Sequence, residues 1–378
     1  MTQSLAGKRI GLLTASASRL GGGVFEAVVA QVEIIRAGGG EPLVFALEDA
    51  HCGDDRARFG ATQVATSAVR GPRQIGYAPA LLPALLSAEL DCLHLHGIWM
   101  YPSRAGAEWA RATRRGYIIS PHGMLDPWIT ARGRWKKALA RAGYERQGWE
   151  AASFLHALTG REAGDIARES GREDSRVIPN AAPPVSNAAP RPRAPHVAYI
   201  GRIHPKKNLL ALVEAWNSAK KPAGSRLDIA GWGEAGDIAQ LQAAVDRGDR
   251  SARFLGPLYG AAKEELLGDA QFMVLPSLSE GLPMAVLEGW SAGTPTIMTS
   301  ECNLPEGFAA KAAIECGERQ VAIAAALEQA LGLSDPDWQA MSGNARALAA
   351  GPFSSEAVAV RWGDAYAAAI AMGSMPGR

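Results

Sequence analysis

Cysteine is scarce in this chain: Cys52, Cys92, Cys302 and Cys316 are the four among 378 residues, and no two stand in a C-x-x-C pair. That spacing excludes a zinc ribbon and a disulfide framework, and it fits reduced thiols packed as small apolar residues. A charge excess of either sign is also missing, since 39 Lys and Arg meet 38 Asp and Glu for a net charge of +1. No global pull toward nucleic acid follows, and none is expected as a partner. Long hydrophobic runs are absent too: the most apolar helical stretch, Pro79 to Leu90, falls short of the roughly 18 to 20 residues that cross a bilayer. Met1 to Gly7 is polar and leads straight into a strand-like run, without the charged start and apolar core of an export signal. The expectation is a cytoplasmic protein.

What is present is a soluble composition, 47% hydrophobic and 20% charged, on a length that suits two domains. Short β-rich runs alternate with amphipathic stretches: Arg9 to Ala15 then Val24 to Arg36, Leu43 to Leu47, Cys92 to His96 then Arg104 to Arg115, Tyr117 to Ser120, Phe154 to Leu158, Arg176 to Ile178. This is βαβ punctuation. It stops at Pro179, where five further prolines up to Pro195 mark a linker. A second alternation follows, from the strand His196 to Gly201 through Phe272 to Leu275 and the helix Met284 to Ala292 to the strand Thr294 to Thr299. Runs such as Phe272-Met-Val-Leu275 read as strands buried on both faces, as a parallel sheet covered by helices requires. The fold class expected is therefore α/β, with two Rossmann-like doubly wound domains facing a central cleft: residues 1–182, a Pro-rich linker at 183–195, and residues 196–354. Chemistry belongs on the loops after the strands.

Directly after the strand ending at Leu275 comes Pro-Ser-Leu-Ser-Glu280-Gly281-Leu282-Pro283-Met284-Ala-Val-Leu-Glu288. Pro283 suits a first helical turn, where its missing N–H costs nothing, and the free amides of Gly281 to Met284 would then favour phosphate or sugar oxygens. Glu280 and Glu288 would lie roughly 12 Å apart along a fully helical segment. That exceeds the separation of about 5 to 9.5 Å used by glycosidase carboxylate pairs, so the two glutamates fit a grip on different parts of one long ligand. Gly201-Arg202 ends another strand, with Lys206-Lys207-Asn208 before its helix. Cations there can neutralise a diphosphate leaving group, although a solitary R-x4-K is more often an ordinary basic loop. His122 follows the strand Tyr117 to Ser120, and Asp126 stands near enough to orient it or an acceptor. His94 and His96 share one strand face, but no third metal ligand is recognisable; one or both pack or line a cleft. Gly21, Gly22 and Gly23 after the first strand let backbone approach a ligand closely.

The E-x7-E spacing of Glu280 and Glu288 resembles the signature of glycosyltransferase family 4, retaining GT-B enzymes that use nucleotide sugars. Other blocks follow in that family's order: Gly21 to Gly23, His122-Gly123, Val177-Ile-Pro-Asn180, Gly201-Arg-Ile-His-Pro-Lys-Lys-Asn208, Ile229-Ala-Gly231 and Phe254-Leu-Gly256. The resemblance covers nearly the whole chain. It implies that Glu280 and the amides from Gly281 to Met284 hold the donor sugar, Arg202 and Lys207 the diphosphate, and Glu288 the ribose. By the same resemblance His122 lies beside the sugar, Gly21 to Gly23 face the phosphates, and Gly201 lines the donor site. His96 and Asp126 fall on the acceptor side, and the helix 355–378 completes the first domain. The loop departs from a commoner form at Gly23-Val-Phe-Glu26.

The implied activity is transfer of a hexosyl group from a UDP or GDP sugar to a glycan or lipid-linked acceptor in surface polysaccharide assembly, with no metal and no cofactor beyond that co-substrate. Sugar-nucleotide epimerases of similar fold, and a non-catalytic sugar-binding protein, are the alternatives. The segment 128–149 mixes aromatics with six Arg or Lys residues between Arg132 and Arg146. Such a segment either seats the protein peripherally on the inner face of the plasma membrane or is an ordinary solvated helix pair. The sequence leaves the oligomeric state open.

Overall fold

The computed structural model describes residues 4–131, 133–185 and 194–373. The chain divides into two compact units, one made of Met1–Pro179 with Val358–Arg378, the other of Asn180–Ala357.

In the first unit seven parallel strands, β1 (Arg9–Thr14), β2 (Glu41–Leu47), β3 (Gln63–Ser67), β4 (Cys92–His96), β5 (Gly116–Ser120), β6 (Phe154–Ala157) and β7 (Arg176–Val177), lie in the order 3-2-1-4-5-6-7. In β4 and β5 every residue is buried, because helices cover both faces of the sheet. Edge strand β3 escaped the sequence reading: Gln63-Val-Ala-Thr-Ser67 is short and partly exposed, and its pattern is too weak to show by periodicity. The second unit repeats the plan with β8 (His196–Ile200), β9 (Arg226–Ala230), β10 (Ala252–Gly256), β11 (Phe272–Leu275), β12 (Thr296–Met298) and β13 (Ala313–Glu315), in the order 10-9-8-11-12-13. In each sheet the strand order reverses once, between β1 and β4 and between β8 and β11. Loops leaving those two pairs diverge, and the gap so opened is where ligands of doubly wound sheets bind.

Of the expected linker 183–195, residues 186–193 lie outside the described residues. The preceding segment already packs on the second unit: Ala182 is buried in its core and donates its N–H to the Phe353 carbonyl at 2.7 Å, and the Pro183 carbonyl accepts from Ser291 Oγ at 2.8 Å. The closing helix Ser355–Gly373 buries Val358, Trp362, Ala365, Tyr366 and Ala369 along one stripe. Its backbone presses on β5 so closely that a Cβ at Gly116 would sit 2.6 Å from the Ala369 carbonyl oxygen. Burial of Trp362 and Tyr366 stabilises this docking by about 2 kcal/mol per ring. Among the described residues no helix is long and apolar enough to cross a membrane.

Candidate active site

Two turns of the second unit meet beyond the switch point between β8 and β11. After β8 and β9 the backbones run on side by side, Gly201 N–H donating to the Ala230 carbonyl at 3.1 Å and Ile203 N–H to the Trp232 carbonyl at 2.6 Å. No side chain fits between them: a Cβ at Gly231 would stand 1.8 Å from the Gly201 carbonyl oxygen. Gly231→Ala is expected to destabilise this unit by about 3 kcal/mol or more, through forced separation of the two loops. Chemical denaturation of the variant checks this. The loop then enters a 3-10 turn at Pro205–Lys207, where His204 Nδ1 accepts the Lys206 N–H at 3.2 Å, and Asn208, at φ +58°, turns the chain into the helix Leu209–Ser218.

That turn delivers Lys207 to the loop after β11. The Leu278 N–H donates to the Lys206 carbonyl at 2.8 Å, tying the two loops backbone to backbone. The Lys207 ammonium then pairs with Glu280 Oε1, and Ser277 Oγ donates to the same oxygen at 2.6 Å. Glu280 is fixed from behind as well. Its N–H reaches the Glu301 carbonyl at 3.1 Å, and Asn303 Nδ2 donates to the carbonyls of Glu280 and Gly281 at 2.7 and 3.1 Å. Ser277 and Asn303 were invisible in the sequence, because each is a common loop residue whose partner is set by the fold.

Pro283 is the N-cap, at φ −75° and ψ 104°, so it stands just before the first turn and the helix Met284–Ser291 begins at the expected residue. Gly281 and Met284 are exposed, and no protein acceptor reaches the amides of Gly281 and Leu282 among the described residues. Glu288, two turns along, pairs with Lys263 at 2.7 Å. The two glutamates of the motif thus hold one lysine each and serve separate places. Arg202 is half exposed and only loosely paired, 3.8 Å from Glu234, with its carbonyl held by the Tyr199 hydroxyl at 2.8 Å. At the ends of β9 and β10, exposed Trp232 and Tyr259 lie with ring centroids 6.4 Å apart and planes inclined by 32°.

The first unit holds a buried histidine network at the same end of its sheet. His156 Nε2 lies 2.8 Å from the Ile178 carbonyl, which can only accept, so this nitrogen carries the proton. In the neutral ring Nδ1 is then bare and takes the Ser120 hydroxyl proton at 2.7 Å. Ser120 Oγ in turn accepts from His94 Nε2 at 2.7 Å, and His94 Nδ1 accepts from the Tyr366 hydroxyl at 2.9 Å. One carbonyl therefore orients the whole chain of bonds. Desolvation holds these rings neutral: it lowers His94 and His96 well below the usual histidine range, and lowers His156 to about 4. Both nitrogens of His94 are committed, which leaves none for a metal.

His122 stands at the edge of this network, half-buried and at φ +53°, a left-handed conformation that a non-glycine residue adopts only when its surroundings enforce it. The enforcing contacts are visible. His122 Nε2 lies 3.0 Å from His96 Nδ1 with the ring planes inclined by 18°, and the next amide, Gly123 N–H, donates to Glu162 Oε1 at 2.6 Å. Glu162 also takes the Leu158 N–H at 2.8 Å, so one buried carboxylate joins two loops. Burial, and after it His156, push the His122 imidazole down to about 3. Asp126 belongs to the turn itself: its N–H reaches the Gly123 carbonyl at 3.1 Å and its own carbonyl takes the Thr130 N–H at 2.9 Å.

Gly21 ends a short 3-10 turn, Gly22 adopts φ 54° with ψ −129°, which only glycine tolerates, and Gly23 opens the helix Gly23–Ala37. Space is open where a Cβ at Gly22 or Gly23 would lie. Nearby, Ser16 and Ser18 hydroxyls donate to Asp49 at 2.7 and 2.9 Å. Glu26 is paired with Arg58 at 2.6 Å on the surface.

Both units of the chain are similar to known proteins. Residues 22–181 match the model of a glycosyl transferase 4-like domain, and residues 194–332 that of glycosyl transferases group 1. O-antigen chain mannosyltransferase B of Escherichia coli is 30% identical over 161 residues, 41% of this chain and 40% of that protein. Glycogen synthase of Mycobacterium tuberculosis is 33% identical over 153 residues, 39% and 37% of the two. These matches span about two fifths of each relative's length. Among solved structures, HepE of Anabaena in complex with UDP and glucose covers 95% of this chain and 99% of its own at a TM-score of 0.73, with 16% identity. WaaG, a glycosyltransferase involved in lipopolysaccharide biosynthesis, covers 93% and 99% at 0.64, with 15% identity. The two parallel sheets and the structural likeness give a GT-B fold, and each unit matches a glycosyltransferase domain model. The chain joins a glycosyl transferase 4-like first unit to a second unit of the group 1 kind.

Proposed function

We propose that this chain is a retaining hexosyltransferase of family 4 that moves a sugar from a nucleoside diphosphate to a glycan or lipid-linked acceptor in surface polysaccharide assembly. The observation that carries this reading is the Lys207–Glu280 pair beside the open amides of Gly281 and Leu282. Lys207 has three N–H donors and spends one on Glu280, so two remain for diphosphate oxygens. Lys207 and Ser277 both converge on Glu280 Oε1, which leaves Oε2 for a sugar hydroxyl. Arg202, half exposed and paired only at 3.8 Å with Glu234, adds a second cation to the diphosphate, and the backbone at Gly201 lines the same loop. The start of the helix at Pro283 and Met284 adds its partial positive charge, and Glu288 reaches the ribose. His122, with Gly21, Gly22 and Gly23, belongs to the reacting side in the first unit, and His96 and Asp126 support that turn.

In the step itself, the acceptor oxygen attacks the anomeric carbon, the bond from that carbon to the diphosphate oxygen breaks, and the departing phosphate takes the acceptor proton. The negative charge left on the diphosphate is what Arg202 and Lys207 neutralise. No protein base and no metal are required. The complexes of HepE with UDP support a nucleotide donor. Exposed Trp232 and Tyr259 offer a flat face for the base, and Trp232→Ala is expected to raise donor KM about tenfold with kcat little changed. Incubating the protein with a panel of UDP and GDP sugars, with and without acceptor, and measuring released nucleotide and product configuration tests the reading. Conversion of a donor into a different sugar nucleotide, or binding without turnover, would defeat it.

Peripheral membrane contact at the inner face of the plasma membrane belongs to the same proposal. Trp135 and Leu139, one helical turn apart in Arg134–Ala140, are each 66% exposed and flanked by Lys136 and Lys137. Arg132 lies outside the described residues. Trp135→Ser with Leu139→Ser is expected to lower co-sedimentation with anionic vesicles about tenfold or more, since each apolar side chain contributes roughly 1.5 to 3 kcal/mol when buried. Equal binding of variant and parent would remove the membrane from the account.

A further inference from the structure

His96 has no place in the step just described, yet its surroundings are demanding. It is 3% exposed, its Nδ1 lies 3.0 Å from His122 Nε2, and its Nε2 is enclosed with no partner among the described residues. A bond between two neutral imidazoles admits two arrangements. If His122 donates, His96 must carry its proton on Nε2, and an N–H is buried without an acceptor. If His96 donates from Nδ1, only a bare nitrogen lone pair is left enclosed. Orphaned buried N–H groups are the rarer case in folded proteins, and a buried donor without a partner forfeits its full solvation. A third state, with His96 protonated, places a cation in a buried site whose neighbouring His94 ring, 4.0 Å away between centroids and tilted by 36°, offers no charge to balance it.

We infer that His96 is a positioning residue that fixes His122 as its Nδ1–H tautomer, so that His122 presents a hydrogen-bond donor to the bound ligand. This rests on the reading of His122 as a contact of the reacting sugar nucleotide. It also deepens that reading, because it decides what His122 does there. A ring that holds its proton on the ligand side gives a hydrogen bond to a sugar hydroxyl oxygen or a phosphoryl oxygen. It does not remove the acceptor proton, and that task stays with the leaving phosphate. His96 thereby acts as outer partners of functional histidines do, by fixing which nitrogen is protonated and how the ring lies. His122 Nδ1 itself is not enclosed, which is the condition for such a role.

The direct test is nitrogen NMR of the full chain labelled with 15N histidine at pH 7 to 8, with His122 assigned by its loss in His122→Gln. In the parent protein Nδ1 of His122 is expected at a pyrrole-type shift and Nε2 at a pyridine-type shift. His96→Leu should return His122 to the Nε2–H form that free imidazole side chains prefer. His96→Asn, whose amide N–H lies near the position of Nδ1, should preserve the parent pattern. In parallel, kcat is expected to fall about 10- to 100-fold in His96→Leu with donor KM nearly unchanged, and to recover largely in His96→Asn. An Nε2–H form of His122 in the parent, or an unchanged tautomer in His96→Leu, overturns the inference whatever the activity. If His96→Leu does not fold, the parent spectrum and His96→Asn still decide. If the tautomers behave as stated but His122→Gln transfers sugar at the parent rate, the placing of His122 at the donor fails and the role of His96 stands.

Discussion

Glu280→Gln is expected to lower transfer by about 100- to 1000-fold, a loss of roughly 2.7 to 4 kcal/mol of transition-state stabilisation. The amide of Gln keeps an oxygen for the Ser277 hydroxyl, so the loop after β11 retains its shape. What disappears is the charge that holds the Lys207 ammonium in place and the second carboxylate oxygen offered to the sugar. Stability should change far less than activity. The side chains of Lys207 and Glu280 are 20% and 10% exposed, so a released lysine can turn toward water, and the cost is about 1 kcal/mol instead of the roughly 3 to 5 of a sealed pair. Lys207→Met should resemble Glu280→Gln. The double variant should be little worse than the poorer single one, because the pair works as a unit. Nucleotide release assays beside thermal denaturation measure both quantities, and parent-like turnover in either single variant would refute the assignment.

Lowering the pH from 7 to 5 is expected to remove stability that the buried histidines contribute to the first unit, with part of the loss offset by Glu145, which burial raises to about 7 so that the folded chain protonates it over the same range. His156 titrates at about 4 in the folded chain against an ordinary value of 6.5, so above pH 6.5 both states are neutral and its contribution is intact. As pH falls below 6.5 the unfolded chain takes up a proton that the folded chain refuses, and stability drops until the folded value near 4 is reached. A shift of that size corresponds to about 3 kcal/mol for this one group. His94 and His96, lowered in the same direction, add to the slope. His156→Gln isolates the effect. Its amide can still donate to the Ile178 carbonyl but does not titrate, so its stability should fall less steeply, by up to about 1.4 kcal/mol per pH unit below pH 6. Urea denaturation at pH 7, 6 and 5 distinguishes the two proteins. Equal slopes in the two proteins would show that His156 takes up its proton in the folded state as readily as in the unfolded one.

Most of the strands were within reach of the sequence because each buried one, such as Phe272-Met-Val-Leu275, is a short apolar run closed by turn residues. The weak edges were not. Gln63 to Ser67 and Ala313 to Glu315 pair on one side only, so burial imprints less pattern on them. In the site, Glu280, Lys207 and His122 were legible because they sit in strand-to-helix loops with distinctive neighbours. Ser277, Asn303, Lys263 and Glu162 were not, since each acts on a partner 3 to 39 positions away and only the folded path of the chain brings them together. The same holds for the orientation of His94, which follows from the carbonyl of Ile178 through His156 and Ser120. No spacing in the sequence encodes a proton's direction.

The docking of Ser355–Gly373 on β5 also sets an order of events. The ribosome makes residues 1–179 first, but Tyr366, the last hydroxyl donor of the histidine network, is synthesised only after the entire second unit. While it waits, the nascent first unit has His94 Nδ1 without its partner and the groove for Trp362 uncovered. Translation thus leaves an incomplete, sticky half-product for the time needed to add roughly 180 residues, about 10 to 40 seconds at ordinary rates. The second unit, made of one uninterrupted stretch, can mature before the first one closes.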